Sequence, residues 1–271
     1  ERVVPATFTV INNSDSGAGS LRQAIDDANT TAGDDTIDFN FASGTSPYTI
    51  TLASALPNIL DASTSGTLTI TGLGASSLTI DANKGNFSIF TINIGANLTI
   101  SGVTFSGAKI TSGNGGAFNN SGSLTVSNST ISGNSASNGG GIFNNASGTA
   151  TITNSTISGN SGGYGGGINN SGTLTVNNST ISGNSISNQG GGIYNNGNLT
   201  VNSSLISGNT ANLGGGIYNQ GPNLSLSNST ISGNSATFTN SGTLNISNFY
   251  LGYGGGIFNN NGTLNITNAT I

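Results

Sequence analysis

The apolar positions of this chain fall in short triplets rather than in long runs. Leu124-Thr125-Val126 sets one polar residue between two apolar ones. The same alternation returns at Leu98-Thr99-Ile100, Leu174-Thr175-Val176, Leu199-Thr200-Val201, Leu224-Ser225-Leu226, Leu244-Asn245-Ile246 and Leu264-Asn265-Ile266. A period of two is the period of a strand, which puts Leu and Val on one face and Thr on the other. A second phrase, Ile-Ser-Gly-Asn, begins at Ile131, Ile157, Ile181, Ile206 and Ile231, at spacings of 26, 24, 25 and 25 residues. A third, Gly-Gly-Gly-Ile, ends at Ile142, Ile168, Ile193, Ile217 and Ile257, with Gly115-Gly116-Ala117-Phe118 as an earlier variant.

Each repeat therefore holds three short apolar segments separated by Asn, Ser and Gly. Strands this short cannot bury an apolar face alone, and a fixed period lets each pair with its copy one coil away. The pattern predicts an all-β chain, a right-handed parallel β-helix with three strands per coil and about 25 residues per coil. Asn134, Asn160, Asn184, Asn209 and Asn234 close the same phrase in successive copies. Asn accepts left-handed turns, and its amide can bond to the equivalent amide above and below, so these five are expected to form a structural ladder. Calcium prefers carboxylates, and none follows Asp81. The Asn-Ser-Thr-Ile phrase also creates glycosylation-type sequons, at Asn128, Asn154, Asn178 and Asn228 among others, read as by-products of the repeat.

The first residues break the pattern. Phe8-Thr9-Val10-Ile11 reads as a strand, and residues 20–29 read as one short helix. Ser20 with Gln23 forms a capping box, and Leu21, Ala24, Ile25 and Ala28 share one face. This helix is expected to lie across the N-terminal mouth of the core, since a solenoid must shield its first coil. Thr36-Ile37-Asp38-Phe39 then leads into the first coil. Three regions result: an N-terminal cap over 1–47, irregular early coils over 48–97, and regular coils over 98–271 with no matching C-terminal cap. Between Ser235 and Tyr253 the phrasing slips, and the Leu-to-Leu spacing falls to 20, from 224 to 244 and from 244 to 264.

Composition narrows the setting. Of 271 residues, 44 are Gly, none is Cys or His, and only 5% are charged, with a net charge of −5. Every charged residue precedes Ile110. So little positive charge argues against nucleic acid, whose phosphates call for Lys and Arg. No stretch approaches the roughly 20 apolar residues of a membrane helix, and membrane insertion is not expected. The chain opens at Glu1 without a leader peptide, which suggests a processed or excised segment.

The paired phrases resemble the repeats of chlamydial polymorphic outer-membrane proteins, whose Gly-Gly-Ala-aliphatic motif is similar to Gly115–Phe118. Their Phe-x-x-Asn motif is similar to Ile131–Asn134 and its copies, with Ile replacing Phe. The run Phe8 to Phe39, with Asp15-Ser16-Gly17-Ala18-Gly19-Ser20-Leu21-Arg22-Gln23-Ala24-Ile25 inside it, resembles the opening segment of large secreted bacterial β-helix proteins, cyanobacterial ones included. The resemblance implies a β-helix placed extracellularly or on the outer cell surface. It does not imply one activity.

Many β-helices cleave polysaccharides, and glycoside hydrolysis usually needs two carboxylates flanking the bond. A lyase needs a base, often beside calcium. Here the carboxylates cluster only at Asp26-Asp27 and Asp34-Asp35, and Asp81 with Lys84 is the one acid–base pair on a coil. Surface and turn roles account for all three, so no catalytic residue, metal site or cofactor is expected. Phe143, Tyr194, Tyr218 and Phe258 each follow the inward Ile of a Gly-Gly-Gly-Ile phrase. They form an external aromatic column, interrupted at the copy after Ile168, and either self-stacked or offered to a glycan. Thr columns such as Thr125, Thr151, Thr175 and Thr200 raise ice binding as a third class, although Ser225, Asn245 and Leu205 interrupt them. The leading expectation is an extracellular structural or adhesive rod, the stalk of an adhesin or the subunit of a fibre. Its expected partners are surface glycans or further copies stacked head-to-tail through the uncapped end.

Overall fold

The computed structural model describes residues 4–41, 44–61, 65–236, 255–260, 262–267 and 269–270. They form an all-parallel β-solenoid of about 9 turns with roughly 26 residues per coil and one short helix, consistent with a right-handed parallel β-helix. Consecutive parallel strands of one sheet connect right-handedly in about 98% of cases.

One regular coil shows how the phrases become strands. Ser123–Ser127 lies in a first sheet, Thr130–Ser132 in a second, Ser135–Asn138 in a third and Ile142–Asn144 in a fourth. The four sheets hold 10, 8, 5 and 7 strands. Three of these strands are the apolar phrases of the sequence. The strand of the third sheet corrects the expectation of three strands per coil. Its strands are short and carry at most one inward apolar residue, such as Ala136 or Ile186, and Ser161–Tyr164, with sequence SGGY, has no apolar side chain but Tyr164, so hydrophobic alternation could not announce it. It forms because the Asn and the Gly triplet on either side hold the intervening backbone extended beside its copy.

Inside, Leu124 and Val126 of the first sheet, Ile131 of the second and Ile142 of the fourth are buried, as are their equivalents along the rod up to the last coil, where Leu264 and Ile266 are only partly covered. The early coils carry larger side chains at the same levels. Phe105 occupies the column of Ile131, and Phe90 and Phe118 occupy that of Ile142. Their rings meet at 4.8–6.1 Å, filling early coils that lack the regular apolar phrases.

The Gly triplet is required by two different constraints. Gly139 has φ +61, a left-handed conformation that side chains disfavour. Gly141 is in ordinary backbone, but a Cβ there would stand 2.9 Å from the Gly167 carbonyl oxygen of the next coil.

At the N-terminus, helix α1 spans Leu21–Thr30 and connects the strands Thr7–Val10 and Asp35–Phe39, which pair in parallel. Leu21, Ala24, Ile25 and Ala28 are buried in the same apolar cluster as Val10 and Ile37. α1 thus takes the place of the missing sheets in the first coil. The capping box is only half formed. Ser20 Oγ accepts the Gln23 amide at 3.2 Å, but the Gln23 side chain donates to Asp27 at 2.7 Å instead of returning to Ser20. Asn29 and Arg22 tie the helix to the next layer through Asn58, Ser54 and Ala55.

The last coil corrects the expected slip of register. Leu224 pairs with Leu264 and Ile217 with Ile257, each 40 residues on. The first sheet therefore passes directly from one to the other. Residues 237–254 are inserted between the third-sheet strand Ser235–Ala236 and the fourth-sheet strand Ile257–Asn259. Leu244-Asn245-Ile246, expected as a rung, lies outside the described residues.

Candidate functional site: ladders and faces of the rod

The interior is apolar along its walls and polar at its corners. Asn134, Asn160, Asn184, Asn209 and Asn234 stack there, each Nδ2 donating to the next Oδ1 at 3.1, 3.1, 2.9 and 2.9 Å. The same oxygens accept the backbone amide one coil back, as at Asn160 N to Asn184 Oδ1 (3.0 Å). Each amide nitrogen also reaches a carbonyl of the preceding coil, as Asn184 does with Ile157. Every polar atom of these side chains is thus engaged inside a core where an unpaired amide would be costly.

Two further ladders went unremarked in the sequence. Asn120, Asn144, Asn170, Asn195, Asn219 and Asn259 run along another corner, with Nδ2-to-Oδ1 distances of 2.6–2.7 Å. Ser129, Ser155, Ser179, Ser204 and Ser229 form the third, each Oγ accepting the backbone amide of its predecessor, for example at 3.2 Å between Ser129 and Ser155. The signal was present. An Asn stands two residues after each Gly-Gly-Gly-Ile, and a Ser follows Asn128, Asn154, Asn178 and Asn228, with Ser203 in the place of the Asn before Ser204. The sequon residues Asn128, Asn154, Asn178 and Asn228 are exposed, with φ of 46–50, and make the left-handed bend that turns the following Ser inward.

Four acidic residues of the N-terminal half, Asp15, Asp34, Asp35 and Asp81, serve the backbone. Asp34 accepts the Thr67 amide and Asp35 the Ala6 amide, both at 2.8 Å. Asp81 accepts the Asn83 amide at 2.8 Å. Asp15 pairs with Arg22 at 2.7 Å and also receives the Ala53 amide.

On the outside, the fourth sheet carries the aromatic column, but not with the four members expected. Phe143 pairs with Asn169, which separates it from Tyr194. Tyr164, at the end of a third-sheet strand, takes the vacant level instead. Its ring lies 5.4 Å from that of Tyr194, edge to face. Tyr194, Tyr218 and Phe258 then stack face to face, with centroids 5.4 and 4.9 Å apart and interplanar angles of 4° and 7°. Tyr194 Oη donates to the Gln220 side chain at 2.8 Å. Burial, reinforced by Tyr218 and Tyr164, raises the pKa of the Tyr194 phenol. Burial raises that of Tyr218, against a lowering hydrogen bond with Asn260. Tyr218 and Phe258 are only 4% and 8% exposed, so the ring faces are largely occupied by one another.

The first sheet presents a different face. Its five-residue strands expose three positions each, and all of those positions are Thr, Ser or Asn from Thr67–Thr71 through Thr263–Thr267. Compared with known proteins, the chain matches no family model and no curated protein. Among the described residues no helix is long and apolar enough to cross a membrane.

Proposed function

We propose that this chain is the rod of an extracellular or cell-surface protein of the bacterial kind its repeats resemble, structural or adhesive rather than catalytic. The observation that carries this reading is the unbroken stacking of coil on coil. The first sheet runs through ten strands, and three internal ladders repeat along the body. Ten strands spaced at about 4.8 Å make a rod of roughly 43 Å. A solenoid transmits load along its axis through many parallel hydrogen bonds, and its length grows by adding coils without redesign of the core. The side chains of Asp15, Asp34, Asp35 and Asp81, engaged with backbone amides and with Arg22, support a structural assignment for these carboxylates.

Head-to-tail stacking meets an obstacle. α1 occupies the N-terminal mouth, so a second copy could pair only through the opposite end of the rod. The stalk version of the reading needs no such pairing. The aromatic column supports self-stacking better than glycan docking, because its rings cover one another. Surface proteolysis and immunogold labelling of intact cells test location, with labelling confined to the cytosol as the result that would defeat the proposal. Incubation with acidic polysaccharides tests the rest. Product formation that disappears in Asp81→Ala would replace the rod with an enzyme.

A further inference from the structure

The outward face of the first sheet carries an order that the repeat phrases alone do not explain. One register position is Thr in eight consecutive strands, from Thr7 and Thr36 in the cap region, through Thr69 and Thr125, to Thr200. Thr7 and Thr36 sit in the phrases Ala-Thr-Phe-Thr and Asp-Thr-Ile-Asp, which are not copies of the repeat. Duplication of a repeat unit therefore does not account for them. Ala150 replaces the inward Leu in one strand, yet Thr151 beside it keeps the column.

The hydroxyls of this column are also free. Among the described residues none of the eight bonds to another protein group, whereas neighbouring columns bond to themselves. Asn202 donates to Asn177 at 3.0 Å, Ser227 to Asn202 at 2.6 Å and Asn223 to Asn198 at 2.8 Å. Pairing along the face is one-to-one with no bulge, while the third sheet shifts register between Gly162 and Tyr164. The second sheet has strands of only three to four residues, and Leu205 breaks its Thr column. The fourth sheet carries the aromatic rings. The first sheet is thus the wide and regular face, and its carboxylate, Asp38, stands at the N-terminal margin.

The geometry points to this face as an ice-binding surface. Its sites repeat at about 4.8 Å along the rod and about 6.6 Å, two residues, along each strand. Both distances are close to oxygen repeats on the surface of hexagonal ice. In the central column Thr offers a hydroxyl and a methyl at each of the eight levels, the first able to join a water lattice and the second to favour ordered water beside it, and the flanking columns of Thr, Ser and Asn widen the face. A neutral face suits a neutral lattice, because a fixed charge would organise water around itself. A crystalline polysaccharide is also neutral and periodic, but sugar rings pack their C–H faces on aromatic side chains, and this face has none. The inference is independent of the surface-rod reading, since purified protein is enough to test it.

The test is thermal hysteresis and inhibition of ice recrystallisation by the full chain, with adsorption of the fluorescently labelled protein to a growing ice crystal. Wild type is expected to shape ice and hold a freezing gap. Thr125→Lys with Thr151→Lys is expected to lose most of that gap, and Thr156→Lys with Thr180→Lys, on the second sheet, to keep it. Thermal melts confirm that each variant is folded. No hysteresis and no ice adsorption by wild type would overturn the inference, and so would equal loss in both variant pairs. Retention on microcrystalline cellulose or chitin without ice adsorption would transfer the face to a polysaccharide.

Discussion

At the scale of single residues, this fold replaces charge and bulk with repeated amides. Asn184 illustrates it. Its oxygen accepts both the backbone and the side-chain amide of Asn160, and its nitrogen donates to Asn209 and to Ile157. Removing that side chain strands buried donors on one side and acceptors on the other. Asn184→Ala is therefore expected to cost on the order of 3 kcal/mol, read from chemical denaturation. The exposed Asn178 is the contrast. Its φ of 46 is what the turn needs, Gly adopts it freely, and Asn178→Gly should change stability by less than about 0.5 kcal/mol. The stacked phenols supply a pH test. Tyr194 and Tyr218 have raised pKa values, so the fold favours their neutral forms. Unfolded tyrosine ionises near pH 10. Their contribution is complete below that value and is lost as pH rises through the higher folded values. Ultraviolet titration of the native protein should show part of the tyrosine absorbance change delayed above that of the denatured chain. Tyr194→Phe with Tyr218→Phe should remove the delay.

At the scale of elements, the helix and the insertion show what alternation and phrase-counting could read. Helix α1 was legible because its four apolar residues share a face and Ser20 stands at its start. Its reciprocal Gln23 contact was not, because Asp27 one turn on competes for the same side chain. The Asp15–Arg22 pair fastens the loop before α1 to the backbone at 53–55. It is half-buried and bonds to backbone as well as to charge, which makes it worth more than an open surface pair. Asp15→Ala should loosen the cap first, and faster amide exchange in residues 21–30 than in the central coils would register it. The internal Ser and second Asn ladders escaped the sequence reading for another reason. Their residues look like turn formers, and only the fold reveals that a left-handed bend aims the Ser inward and that each Asn, two residues after a buried apolar residue, ends a strand on the inward side.

At the scale of the whole molecule, the rod carries no formal charge along most of its length. Formal charges end at Lys109, so ionic screening has little to act on in the later coils. Salt that shortens the screening length from about 30 Å to about 3 Å should leave the melting of those coils in place. Any salt response should follow probes in the cap and the early coils up to Lys109. A shift of equal size throughout would contradict this division.

What the sequence determined by itself was the repeat: its period, its inward apolar triplets, its first Asn ladder and its special N-terminal segment. These follow from local alternation and from identity between copies, both written directly in residue order. The tertiary structure decided the rest. It added the third sheet, whose strands are mostly polar, and which hydrogen bonding between coils creates with little hydrophobic signal. It carried Leu224 past the nearer Leu244 to Leu264, because a rung is chosen by what its whole coil can pair with. It extended one Thr column back to Thr7 across sequences that share no phrase, because register between strands is a relation in space.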